Sequence, residues 1–176
     1  MRRIGFGLAG DHRIRLKPRI ALVLLLVLQS ACGEATRPSD AALIANFQAH
    51  RTQVEILMSM MRADKVLWRV DDTRTGPADP ASVGINPQCI AEYRRILAAI
   101  GYPRGFYYFP DSGRVEFVAW AVGLAVSGAS KIVVYNPEQS TPLVADLDTY
   151  RPQPGQRSIR AYRHIEGLWY LEFDAN

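Results

Sequence analysis

Apolar positions along the chain follow a period that changes from one stretch to the next. They recur at Leu43, Phe47, Val54, Leu57 and Met61, with His50 filling the gap in the series. Steps of four and three residues draw one stripe along a helix of about six turns, and Ile44, Ile56, Met58 and Met60 widen it. Asp40 stands where it can cap that helix. Val66, Trp68 and Val70 then alternate with Leu67 and Arg69, the period of a strand with one buried face. Asp71 to Asn86 is rich in Pro, Gly, Asp and Thr and reads as a long loop, a place where compact domains often keep function. Asn86-Pro87 opens a second helix, Ile90, Tyr93, Leu97 and Ile100 mark its inner face, and Gly101 and Pro103 stop it.

Beyond Pro103 the period is two. Phe106–Phe109 is predicted as a strand, Pro110–Gly113 as a turn, and Val115–Val122 as the return strand, with room to run on to Val126. Ser127–Ser130 is predicted to turn the chain again before a strand at Lys131–Tyr135. Thr141-Pro142 is a candidate start for one helical turn before Tyr150, and Arg151–Arg157 reads as a loop. Arg160–Ile165 and Leu168–Phe173 pair through Glu166-Gly167, a two-residue hairpin signal. The order predicts an α+β fold: an antiparallel meander sheet with two main helices packed on it. At the level of element order it resembles the PAS-like and profilin-like sensor folds, which carries little about function.

The first residues follow another pattern. Ile20–Leu28 is an apolar run of nine residues, short of the about twenty that cross a bilayer and within the about 7–15 of a signal-peptide core. Arg2, Arg3, Arg13, Arg15, Lys17 and Arg19 precede it against one acid, Asp11. The run leads into Gln29-Ser30-Ala31-Cys32. This segment resembles the lipobox of bacterial lipoproteins, with Gln29 where that family usually has Leu. The resemblance implies cleavage before Cys32 and attachment of lipid, palmitate among its acyl chains, to the Cys32 thiol. Gly33 stands where an Asp would signal inner-membrane retention, so the resemblance favours the outer membrane, facing the periplasm. Gly33 and Ala35 are also spaced for ordinary cleavage, which leaves a soluble secreted or periplasmic product as the alternative. The chain therefore divides into a signal peptide at 1–31, a lipidated cysteine and tether at 32–39, and one α+β domain at 40–176.

This division changes the meaning of the charge. The formal net charge is +4, but residues 1–31 hold six of the 21 basic and one of the 17 acidic side chains. The remainder carries 15 basic and 16 acidic residues, so no basic footprint for nucleic acid remains. With Cys32 lipidated, Cys89 has no partner in the chain, and a disulfide framework is excluded. Cys89 reads as a small buried residue.

Candidate chemistry is sparse. Beyond the signal only His50 and His164 are available as imidazoles. His50 lies on the helix stripe and reads as a packed histidine, or, more sharply, as a general base facing a pocket. His164 and Glu166 share a strand face near a turn, but two ligands are too few for a metal site, and no metal or cofactor is expected. Asp71, at a strand end, reads as a turn cap or a catalytic acid. No nucleophile elbow, phosphate loop or His-Glu-X-X-His is present. Aromatic residues concentrate in the meander on both faces, which reads as one face packed on the helices and one amphipathic surface, or, more sharply, as a contact surface for a protein partner, a glycan or a small ligand. Three functions follow: an envelope lipoprotein that is a binding or interaction module, with no enzyme chemistry, anchored to the membrane by its lipid; a hydrolase using His50 or His164 with an acid; or an immunity protein that inhibits an exported toxin.

Overall fold

The computed structural model describes residues 36–124, 127–151 and 158–176. The predicted signal segment, Cys32 and most of the predicted tether lie outside the described residues, as does most of the predicted loop Arg151–Arg157. Among the described residues three α-helices, α1 (Asp40–Ala49), α2 (Arg51–Ala63) and α3 (Pro87–Ala99), accompany strands β1 (Arg69–Val70), β2 (Thr75–Gly76), β3 (Phe106–Phe109), β4 (Arg114–Leu124), β5 (Ser127–Tyr135), β6 (Ile159–Glu166) and β7 (Trp169–Ala175). The strands form one antiparallel sheet in the order β2-β1-β3-β4-β5-β7-β6. This is the α+β fold, helices on an antiparallel meander, that the periodicity predicts.

The helices bury their apolar faces against one side of the sheet. Leu43, Phe47, Val54, Leu57, Met61, Tyr93 and Leu97 share one core with Val70, Phe106, Val115, Phe117, Val133 and Leu171. Phe47 meets Trp169 with ring centroids 4.9 Å apart, and Tyr93 meets Phe106 at 5.4 Å. On the opposite side of the sheet Ile132, Val134 and Tyr162 form a smaller cluster with Val118 and Tyr170.

The predicted first helix is two. It breaks at His50 (φ −112°, ψ 22°), whose N–H still donates to Asn46 while α2 begins at Arg51. Phe47 and Val54 are seven residues apart, two helical turns, so the stripe stays in phase across the break and spacing alone shows one helix. The cap is Ser39 rather than Asp40: the Ser39 Oγ accepts from the Ala42 N–H at 3.2 Å, and Asp40 is buried. Asn86 caps α3 as expected, accepting from Gln88 N–H at 2.9 Å, and Gly101 takes a left-handed φ of 79° just past its end.

The predicted strand around Trp68 shrinks to Arg69–Val70. Leu67 and Val70 are buried, whereas Val66 and Trp68 are exposed. The Leu67 N–H turns back to Asp64 O at 2.8 Å, so the alternation never starts at Val66. The loop from Asp71 to Asn86 contains the short strand β2 and a 3-10 turn at Ala81–Val83. β4 runs to Leu124 and β5 starts at Ser127, so Ser127–Ser130 is strand, paired with Ala121–Leu124, not turn. A bulge between Val118 and Trp120 resets the register. Thr141-Pro142 begins no helix. Its peptide bond is cis, and the segment runs beside β6 instead, with Tyr162 N–H donating to Pro142 O and Val144 N–H to Tyr162 O. The last hairpin turns at Gly167-Leu168, one residue later than predicted, with Gly167 at φ 51°.

Candidate functional site

The residues singled out by sequence are dispersed. His50 is half-buried at the break between α1 and α2. His164 is exposed on β6, with Nε2 3.1 Å from Gly167 O and its ring edge-on to Tyr170. Glu166 is exposed and pairs with Arg51, which lies over the Phe47 ring. The fold therefore engages His164 and Glu166 with different partners. Asp71 is buried in its own turn, where its carboxylate accepts from Thr73 N–H at 2.9 Å and Arg74 N–H at 2.6 Å and pairs with Arg69 at 2.6 Å. Burial pushes its pKa up, but the two amides and the Arg69 guanidinium prevail and hold it below the ordinary value. Cys89 is half-buried against the core, its thiol donating to Asp64 Oδ2 at 3.2 Å. Burial first, and then the Asp64 carboxylate, pushes that thiol up to about 11, which suits an inert thiol.

Two ionic clusters flank the sheet. On the helix side Lys131 Nζ faces Asp40 Oδ1 at 2.5 Å and Asp148 Oδ1 at 2.6 Å, and donates to Pro38 O at 3.0 Å. The pair with Asp40 Oδ1 is Coulombic, without a well-directed hydrogen bond. Asp40 Oδ2 accepts from Arg163 and from Leu147 N–H, and Asp148 Oδ2 accepts from Asp40 N–H. Asp40, Asp146 and Asp148 converge closely enough to suit a cation, but the Lys131 ammonium already lies against two of them. On the other side Glu172 accepts from Arg114 at 2.9 Å, and Arg160 bridges Glu172 and Asp174. Burial of the Glu172 carboxyl raises its pKa despite both arginines. Every charge in these clusters has a partner, which fits structure better than chemistry.

A surface better suited to binding lies at the β1–β3 edge. Trp68 is 48% exposed and Phe109 42%. With Lys65, Tyr107, Pro110 and Asp111 they line a cleft of about 390 Å³. Trp68 is held by main-chain bonds to both neighbours: its N–H donates to Gly76 O at 2.8 Å and its carbonyl accepts from Tyr108 N–H at 2.9 Å. Its ring lies against Gly76, where a Cβ would stand 2.4 Å from Trp68 Cε2. Gly76 thus makes the seat of the ring. Arg69 covers one face of Tyr107 at 5.1 Å, and beyond it a second groove of about 310 Å³ carries Arg74 and Arg104.

Alternation placed Trp68 with Val70 on a buried face, but Trp68 stands just before β1, between Gly76 and Tyr108, where α2 has already ended at Ala63. Lys65 has no sequence signal at all. Lys131 did have one, because it alternates with Val133 and Tyr135 on the buried side. No protein-family model, characterised protein or solved structure matches the chain.

Proposed function

We propose that the protein is a lipid-anchored binding module of the bacterial cell envelope, which seats a protein partner on the Trp68–Phe109 cleft. The anchor is Cys32, supported by the lipobox-like segment, with the outer membrane facing the periplasm as its place. The observation that carries the binding role is the exposed Trp68 ring, fixed over Gly76 beside exposed Phe109. Aromatic rings held rigid at a surface bury large apolar area on contact with little loss of side-chain entropy, and Trp is enriched among residues that dominate interfaces. Lys65 and Asp111 at the rim supply charge of both signs to orient a partner.

The test is stoichiometric capture from detergent-solubilised envelopes, followed by titration of the captured protein, after its own purification, against wild type and variants. Trp68→Ala is expected to weaken affinity by about 30-fold or more, as for a residue that dominates an interface. Leu168→Ala, exposed at the β6–β7 turn, is the control and should change it little. Equal affinity of wild type and Trp68→Ala, in proteins with the same melting curve, would remove the cleft from the account.

A further inference from the structure

We infer that the cavity beneath the loop from Asp71 to Asn86 binds a small apolar α-amino acid, with its carboxylate on Arg94, its ammonium on Asp79 and its side chain on Ile85 and Ile90. The cavity holds about 380 Å³ and shares no lining residue with the Trp68–Phe109 cleft. That size lies at the lower end of small-molecule sites, about 300–1,000 Å³. The loop's own bonds fix its walls. Asp71 closes the first turn on the Thr73 and Arg74 N–H groups. Ser82 Oγ donates to Asp79 O at 2.7 Å, and Ile85 N–H returns to Pro80 O at 3.0 Å. From below, α3 supplies Ile90 and, one turn on, Arg94 on the same helix face.

The pattern of ion pairs singles out Arg94. Arg37, Arg51, Arg69, Arg114, Lys131 and Arg163 are the other buried or half-buried basic side chains among the described residues, and each has a carboxylate partner. Arg94 is half-buried too, but its guanidinium meets a main-chain carbonyl instead, Nε donating to Asp71 O at 2.9 Å. A guanidinium has five N–H donors and can hold a carboxylate with two of them at once. With Nε engaged, the Nη donors remain for a ligand. The neighbouring acids do not take them. Asp71 is committed to Arg69 and two amides, and Asp72 lines a smaller pocket beside Arg94 without pairing with it. A cation drawn partly out of water without a counter-charge favours an anion more than an exposed arginine does. Asp79 lines the same cavity and forms no ion pair with Arg94. A simple anion would face that carboxylate uncompensated, whereas a zwitterion satisfies both charges. Ile85 and Ile90 reach the cavity from the core and offer an apolar floor for a short side chain.

The experiment is equilibrium dialysis of the full-length protein in detergent against radioactive L-leucine, L-valine and L-phenylalanine. Saturable one-to-one binding of at least one of them is expected, and the tightest becomes the probe. Arg94→Gln should weaken it by about tenfold or more. Ala78→Trp fills the cavity from its exposed wall and removes no bond, so it should abolish binding even if Arg94→Gln folds poorly. The amide and the N-acetyl derivative of the probe should each bind about tenfold more weakly than the probe itself, and Asp79→Asn should close the gap for the N-acetyl form. No saturable binding of any of the three below about 10 mM overturns the inference. Unchanged binding in Ala78→Trp places the ligand elsewhere and overturns it too. An amide as tight as the parent removes Arg94 as the carboxylate's partner. An N-acetyl form as tight as the parent means that the site reads a carboxylate alone, such as a peptide C-terminus, and overturns the assignment to an amino acid.

Discussion

Lys131 has no exposed surface, yet it carries a charge-bearing chain into the helix–sheet core and meets Asp40 and Asp148 there. Removing one partner of a buried pair leaves the other charge desolvated and alone, at a cost of about 3–5 kcal/mol. Lys131→Met is expected to lose about that much stability in denaturant unfolding. Adding Asp40→Asn should recover part of it, because the stranded carboxylate is then neutral. Asp71 gives a prediction in pH. Its folded pKa lies below the ordinary 3.8, so the folded state favours the carboxylate, and the stability this supplies is present above the unfolded pKa. It is lost as pH falls through the folded pKa. The melting temperature of the wild type should therefore drop more steeply below about pH 4 than that of Asp71→Asn. Parallel curves would show that the turn does not depend on the ionised form.

At the level of elements, the sheet edge depends on a glycine that no helix or turn pattern singles out. Gly105 precedes β3 with φ 81°, and a Cβ there would stand 1.8 Å from Val70 O, inside the backbone of β1. Positive φ alone costs a non-glycine residue about 1–3 kcal/mol, and a clash with backbone cannot be relieved by moving a side chain. Gly105→Ala is expected to destabilise the domain by about 3 kcal/mol or more in equilibrium unfolding. Because β1 carries Trp68 at its margin, any folded population should also show altered tryptophan fluorescence. A wild-type stability for this variant would mean that β1 and β3 are farther apart than described.

For the whole molecule, the domain begins earlier than the apolar pattern indicates. Residues 37–176 form one unit, and residues 37–39 bond into it: Arg37 donates to Asp148 O, Pro38 O accepts from Lys131, and Ser39 caps α1 with its Oγ while its carbonyl accepts from Leu43 N–H. A fragment of residues 40–176 lacks all of these. A fragment of residues 37–176 is expected to be the more stable by about 1–3 kcal/mol, the cap alone contributing about 1. Thermal melts of the two fragments, compared at one protein concentration, measure the difference. Coincident transitions would show that the tether contributes nothing to folding.

What the sequence by itself determined was the class of the main helices and strands and the α+β layering, because both follow from local periodicity, whereas Ser127–Ser130 turned out to be strand and Thr141-Pro142 begins no helix. Asn86-Pro87, Gly101 and the Glu166-Gly167 hairpin are local signals, and the structure places a capped helix between the first two and a hairpin whose turn is one residue beyond the third. Sequence also determined how little histidine and thiol there is to work with. Tertiary structure decided what no local pattern carries. The helix break at His50 keeps the stripe in phase and so leaves no trace in spacing. The exposure of Trp68 depends on where α2 ends and on the missing side chain of Gly76, which pairs with Arg69 from the next strand. Lys131, Asp40 and Asp148 are distant in sequence and become partners only when α1, β5 and the loop after β5 pack together. Whether a side chain is buried, paired or presented is a property of its neighbours in space, and those are set by packing rather than by spacing along the chain.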